Sequence, residues 1–545
     1  LLNTPCPFRW GKGKGSETSN QDINPKRIRT MDKKIFATLA IATVLASCTS
    51  DLDGIDETPA NPKPIRRCTA VVDLSVQAPT ADATTQTPSG ANGPRRASAE
   101  TADKDTVSLS LPDEYKVHNV VLYLYNAQTG NFADSIHLTH FAGLDKTEHG
   151  TMCFRSDSIR LEPGDYRVYA VANAPTAAGK IGNDQSLLTT VAKGKSIMSV
   201  IGTEGLTMSN RGGSAQNVRV STDSVTHIEI ALERAVAKVE IGKRFGSYEL
   251  KDKNGKVYAK VTPGSFYFVN LSRDYYLFRH TGKFGKNSTP SRDQYGWSLN
   301  NYTDIPDTDG YLIDPHFFDK RWDASSTFDG STIFDNALTE IVRTGREYEA
   351  TLFPEAGSYS KSYILENANF WTAQREGYTT GIIIKGILTP EKSRCFDEHG
   401  NNIDPQGVHC LYYFNYNFYT SLAAVKAVGG GNIPSGDISA RELETQYNIK
   451  YFSIDDKSLY ACYYKHFIKH LDNGEKRKLG VMEYGVVRNN WYRVTIADIA
   501  GLGSGIINIE PTRPVEEDDI LLTDYYVSPW QFRPDDTVLS QPRKK

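Results

Sequence analysis

Apolar and polar positions alternate in short runs along most of this chain, and the run at residues 69–78 opens the series. Side chains of a strand point alternately to two faces. Ala70, Val72, Leu74, Val76 and Ala78 therefore share one face, while Val71, Asp73, Ser75 and Gln77 share the other. Residues 79–94, rich in Ala, Thr, Gly and Pro, read as an exposed connector that ends at the pair Arg95–Arg96. One reading is an ordinary N-terminal strand with a loose loop behind it. The sharper expectation is a strand that fills a groove until a protease cuts at Arg95 or Arg96. Val72, Leu74 and Val76 would then leave that groove at about 1.5–3 kcal/mol each.

Further along, residues 117–125 set Val117, Val121, Tyr123 and Tyr125 against Val120, Leu122 and Leu124, a pattern for a strand covered on both faces. Pro163–Gly164 starts a reversal before the alternation of residues 166–174. Residues 227–241 are extended, with a change of phase near Glu233–Arg234 that predicts a bulge or a change of sheet. Short helices are expected near residues 184–191 and 421–428. Residues 258–270, 360–367, 378–390, 459–471 and 486–499 return to strand character. Residues 280–350 are polar and glycine-rich but studded with rings, among them Trp297 and Trp322, which suggests long surface loops with aromatic pins.

The end of the chain repeats the opening pattern. After a Pro/Glu/Asp stretch at 511–519, Leu521, Thr523, Tyr525 and Val527 alternate with Leu522, Asp524, Tyr526 and Ser528, and Trp530 follows. An apolar strand behind a linker needs a sheet edge to pair with. That edge is either in its own domain or in a neighbour's opened groove, the donor-strand mode of association. Removal of residues 69–78 would open an acceptor, and residues 521–532 of another copy would replace them. A head-to-tail exchange of this kind builds a filament unless its rotation closes.

Composition agrees with a β protein. The 545 residues include 30 Tyr and 22 Phe but only 5 Met, with 43 Gly and 25 Pro for turns. A net charge of -3 leaves no basic field, so a nucleic-acid partner is not expected. At the front, Met31-Asp32-Lys33-Lys34 and the apolar run 35–46 read as an export signal. Residues 1–30 are then an upstream extension of the reading frame, or Leu1 comes from a non-standard start. Leu45-Ala46-Ser47-Cys48 resembles the lipobox of bacterial lipoproteins, which makes Cys48 the expected lipidation site and several acyl chains on it a firm anchor. Seven cysteines show no CxxC pair; export permits a Cys395–Cys410 bridge, and burial in the core explains them equally well.

Candidate chemistry is sparse. Gly11-Lys12-Gly13-Lys14-Gly15 lacks phosphate-loop spacing. His137 with His140 and His466 with His470 each lack a third ligand. Asp455–Asp456 and Asp518–Asp519 fit solvated turns, and no GxSxG elbow occurs. No enzyme, cofactor or metal is therefore expected. Rings around Trp297, Trp322 and Trp371 keep a second reading open, a non-polymerising surface lipoprotein that binds carbohydrate or host protein.

Several motifs in order resemble the lipoprotein-derived fimbrial subunits of Bacteroidales, and more closely the shaft subunit of the minor (Mfa-type) fimbrium among the Porphyromonas-type fimbrillins. They are the Leu45–Cys48 lipobox, Leu161-Glu-Pro-Gly-Asp-Tyr-Arg-Val-Tyr-Ala-Val-Ala-Asn173, Leu232-Glu-Arg-Ala-Val-Ala-Lys-Val239, Tyr363-Ile-Leu-Glu-Asn367 and Cys462-Tyr-Tyr464. Val487-Arg-Asn-Asn-Trp-Tyr-Arg-Val-Thr-Ile496 and Val527-Ser-Pro-Trp530 complete the set. The resemblance implies an all-β protein of two transthyretin-like β-sandwich domains with exchangeable terminal strands. It divides the chain into a signal at 31–47, a propeptide at 48–96, sandwiches at 97–242 and 243–508, and a linker with donor strand at 509–545. It implies a lipidated precursor in the outer membrane, an arginine-specific protease, and identical subunits as partners in a surface fimbrium. Tip and anchor subunits and host or bacterial surface receptors are further implied partners, and an anchor or tip role is the alternative to a shaft role. Arg66 and Arg67 compete as cut sites, but a cut there would leave residues 69–78 attached.

Overall fold

Strands Thr226–Arg234 and Val236–Lys243 follow each other with one residue between them and belong to different sheets. The phase change read near Glu233–Arg234 is this change of sheet. Alternating burial in the first strand gives way to complete burial in the second, which is covered on both faces. The computed structural model describes residues 67–76, 112–144, 152–174, 183–188, 190–193, 201–202, 205–283, 310–317, 319–320, 350–369, 373–429, 433, 437–455, 457–470, 479, 482–516 and 520–529. All lie in one compact unit, Arg66–Lys545.

Upstream of Ala235 lies a ten-stranded sheet. Its order is Phe132–Leu138, Val120–Asn126, Gly164–Ala172, Met208–Asn210, Thr226–Arg234, Cys68–Val76, Met152–Ser156 and Phe141–Leu144. Gln216–Val220 pairs with Gly164–Ala172, and Ile159–Leu161 pairs with Cys68–Val76. Val120–Asn126 is covered on both faces, as its pattern predicts. Val120, Leu122 and Leu124 join one core with Val72 and Leu74, whereas Val121, Tyr123 and Tyr125 join another with Tyr275, Phe278 and Trp491.

Downstream, a four-stranded sheet (Tyr359–Leu365, Val236–Lys243, Asn490–Ile499, Leu521–Pro529) and a five-stranded sheet built on Tyr248–Lys251, Val257–Val269, Gly381–Pro390 and Tyr460–Phe467 share a single core. Val239, Ile241, Tyr492 and Val494 enter it from the first sheet, and Val261, Phe266, Ile382 and Ile384 from the second. Proline cannot donate to a ladder. Val257–Val269 accommodates Pro263 at a register shift, where Pro263 faces Gly386 and Ser265 faces Lys385. The architecture is all-β, as expected from the sequence.

The helices are short. Asp184–Leu188 and Leu422–Ala427 fall where the sequence suggests them, the latter capped by the Ser421 side chain accepting from the Ala424 N–H. Ala440–Tyr447 was not anticipated, although Ser439 and Glu442 spell out its capping box. Within the loop region 280–350, Phe317 is fully buried, while Trp297 and Trp322 lie outside the described residues. Cys395 is a buried thiol outside any disulfide, so the Cys395–Cys410 bridge does not form.

Charges sit deep between the sheets. Arg488 and Glu366, both fully buried, meet through Nε–Oε2 at 2.6 Å, and the Arg488 guanidinium also donates to the Tyr276 and Leu277 carbonyls. Lys320 pairs with Asp314 at 2.6 Å, and Arg279 with Glu233 at 2.7 Å. Removing one partner of such a pair strands the other in a low dielectric. Glu366→Ala should therefore lower stability by about 3–5 kcal/mol in urea unfolding. Asp404→Ala, at the exposed Lys392–Asp404 pair, should change it by less than about 1 kcal/mol.

Candidate interaction site in the first strand and the tail strand

The first strand, Cys68–Val76, buries every second residue, and Ala70, Val72, Leu74 and Val76 are at most 1% exposed. These are the four described members of the face read from the sequence; Ala78 lies outside the described residues. Both edges of the strand are occupied. It runs parallel to Thr226–Arg234 from Ala70 opposite Thr226 to Val76 opposite Leu232. On its other edge it is antiparallel, first to Ile159–Leu161 and then to Met152–Ser156. Between those two partners the Val72 N–H would lose its acceptor, and the Ser156 hydroxyl supplies one at 3.0 Å.

The outward face of the strand carries one charged clamp. Asp73 accepts from Arg155 Nε at 2.6 Å and Nη2 at 3.2 Å, and lies 2.9 Å from His227 Nδ1. Arg155 and His227 sit on the two strands that flank the first, so one carboxylate ties three strands together. Partial burial pushes the Asp73 carboxyl up, but hydrogen bonds from Arg155 and His227 outweigh it and hold the group below its ordinary 3.8.

The tail strand, Leu521–Pro529, pairs antiparallel with Asn490–Ile499 and forms an outer member of its sheet. It thus lies on the edge of its own chain's sheet, one of the two options open from the sequence. Leu521 is buried in the shared core and Tyr525 packs against it, beside the His466 ring. Asp524 forms an exposed ion pair with Arg244. The stretch before it is not a slack linker. Glu376 and Gly377 donate backbone N–H groups to Arg513 and Pro511, Val515 donates to Gln374, and the Val515 side chain is buried beside Phe467 and Tyr484.

The first strand and the tail strand therefore belong to different sheets and are not brought together. Cys48, Arg95, Arg96 and Trp530 lie outside the described residues, whereas Arg67 is exposed just before the first strand. The histidine pairs divide. His137 and His140 are exposed, while His470 is buried and pulled down to about 3 by that burial. Its Nδ1 lies 2.8 Å from the Tyr492 hydroxyl, which accepts from the Val487 N–H, so the ring is part of a buried hydrogen-bonded cluster and not a metal ligand set. Among the described residues no group of three His, Cys, Asp or Glu could hold a metal, and no helix is long and apolar enough to cross a membrane.

Two family matches coincide with these elements. Residues 85–245 match the major fimbrial subunit protein (FimA) family, starting beyond the first strand. Residues 459–536 match the C-terminal family of major fimbrial subunit protein type IV, fimbrillin, and include the tail strand. The fimbrillin resemblance drawn from the motifs holds in that both matches are to fimbrial subunit families, and neither is to an enzyme family. Such a relationship implies a place at the cell surface and association with other fimbrial subunits. Among solved structures, a candidate cell adhesion protein of Parabacteroides distasonis is 14% identical, with 86% of this chain and 100% of the other covered at a TM-score of 0.40. The tip fimbrial protein Mfa3 of Porphyromonas gingivalis is 13% identical over 85% of this chain and 100% of the other, at 0.33. A fimbrial assembly protein of Parabacteroides distasonis is 12% identical over 60% and 96%, at 0.25. No curated protein sequence matches the chain.

The clamp predicts a pH dependence. A carboxyl depressed in the folded state contributes stability above its unfolded pKa and loses that contribution as pH falls through its folded one. Unfolding midpoints of the full chain and of Asp73→Asn should therefore differ most above pH 3.8 and converge below it. A gap that persisted unchanged at lower pH would remove the clamp from the account.

Proposed function

We propose that this chain is the structural shaft subunit of a cell-surface fimbrium of the minor (Mfa) type and supports adhesion as part of that polymer. In this reading Cys48 is lipidated, and the precursor waits in the outer membrane until an arginine-specific protease cuts at Arg95 or Arg96. The cut frees the first strand to leave the three strands along its two edges. The tail strand of a second copy then enters the vacated groove with Leu521, Thr523, Tyr525 and Val527 inward and Trp530 beyond. Each added copy presents a fresh tail, so growth is head-to-tail. Tip and anchor subunits would end the polymer, and surface receptors would be its targets.

One observation carries this reading. The strand with both edges occupied and four side chains almost fully buried precedes the Arg95–Arg96 pair, so one cut can detach it from the rest of the chain. A groove emptied of Val72, Leu74 and Val76 exposes apolar surface worth about 1.5–3 kcal/mol per side chain, together with two unpaired ladder edges. The family match that begins at residue 85, past that strand, supports the same division. The tail supports the other half, because it holds its own sheet from one edge only and spans nine residues, as the first strand does.

Treatment of the full chain with an arginine-specific protease should yield a polymer ladder whose subunits begin at Arg96 or Ala97. Deletion of residues 521–545 should stop growth while the circular dichroism of the folded chain persists. A stable monomer after complete cleavage, or polymerised subunits that retain residues 68–76 and Cys48, would contradict the proposal.

A further inference from the structure

The outward faces of the first strand and the tail strand share a feature that burial alone does not require. Each carries a single carboxylate near its middle, Asp73 within Val72-Asp73-Leu74 and Asp524 within Thr523-Asp524-Tyr525. Asp73 is held between Arg155 on one flanking strand and His227 on the other. We propose that Asp524 of an incoming tail strand takes the place of Asp73 between Arg155 and His227, and so fixes the register of strand exchange between copies. The inference rests on the exchange reading above and adds what decides how the two copies align.

Apolar alternation cannot decide it. The side-chain period of a strand is two, so a slip of two residues returns apolar groups to the groove. Leu521, Thr523, Tyr525 and Val527 would meet an apolar groove after such a slip as well. Only the charge breaks the tie. With the tail running in the direction of the first strand and Asp524 at the rung of Asp73, the four inward residues fall at the rungs of Ala70, Val72, Leu74 and Val76. A slip of two leaves Arg155, the residue directly across from Asp73, facing Tyr526 or Leu522; at the rung of Val71 the carboxylate keeps only His227 across from it, and at the rung of Ser75 it has neither partner across from it. Like the clamp on a strand pair, opposite charges directly across a ladder favour one pairing over its neighbours. The carboxylate is also easily released from its parking place. Its pair with Arg244 is exposed on both sides, with side chains 42% and 44% accessible, and such pairs are weak. On transfer Asp524 would give up one solvated arginine and gain two flanking partners.

The ladder itself supplies a reporter. Cys153 lies opposite Ser75, is half-buried and is not in a disulfide. In the proposed register Tyr526 occupies the rung of Ser75, whereas a slip toward the start of the first strand brings Ser528 there. The test uses full chains of the wild type, Tyr526→Cys, Ser528→Cys and Asp524→Asn, cleaved with an arginine-specific protease. Ladders from mild oxidation are read on non-reducing gels, with mass spectrometry of the linked peptides. Tyr526→Cys should join Cys153 of the neighbouring copy at least fivefold more than Ser528→Cys does, and Asp524→Asn should polymerise several-fold more slowly than the wild type. A normal ladder with no Tyr526→Cys link, with an equal or stronger Ser528→Cys link, or with undiminished growth of Asp524→Asn would overturn the register role and leave exchange standing. Absence of any ladder from the wild type would overturn exchange and the register role together.

Discussion

The ten-stranded sheet depends on its first strand, which is paired along both edges. Cys68–Val76 bridges Thr226–Arg234 and the pair Met152–Ser156 and Ile159–Leu161, which do not pair with each other in the described ladder. Without it, two rows of backbone donors and acceptors lose their partners and an apolar trench opens between them. Water can satisfy the polar rows but not the trench. The sheet therefore needs some strand of matching alternation in that position, and the physics does not specify whose chain provides it.

That indifference is what a subunit of a polymer can use. A protein whose sheet is complete by itself has no thermodynamic reason to recruit a copy, whereas one deprived of a central strand has a strong one. The tail strand has the complementary property. It is held by one ladder, by Leu521 and by the rim contact of Tyr525, and an exposed ion pair adds little. The pinned stretch 511–516 sets a limit on this freedom. Its backbone bonds to residues 374–377 tie the base of the tail to its own subunit.

Much of this was legible in the sequence because it rests on period-two patterning. The inward set Ala70, Val72, Leu74 and Val76, the two-faced strand around Leu122 and Tyr123, and the sheet change after Arg234 are all written in which residues are apolar. What escaped the pattern rests on pairing at a distance. Arg488 and Glu366 are 122 positions apart, and nothing local marks either as buried. Arg155, His227 and Asp73 look like ordinary surface charges until three strands bring them to one point. Residues 511–519 read as a loose linker because Pro, Glu and Asp fill six of the nine positions, yet the Pro511 and Arg513 carbonyls are taken by residues over a hundred positions upstream. The helix Ala440–Tyr447 differs, since its Ser439–Glu442 capping box is a local signal carried by the sequence itself.

The most direct measurement asks which molecule supplies the strand in a finished fibre. Surface fibres grown from an equal mixture of isotopically light and heavy subunits can be crosslinked and digested. Peptides that join residues 521–529 to the flanking strands Met152–Ser156 and Thr226–Arg234 are then sorted by mass. The account predicts that about half of these links join light to heavy chains, the share expected of random neighbours. Links confined to one isotope, or tails found only against Asn490–Ile499 of their own chain, would contradict it.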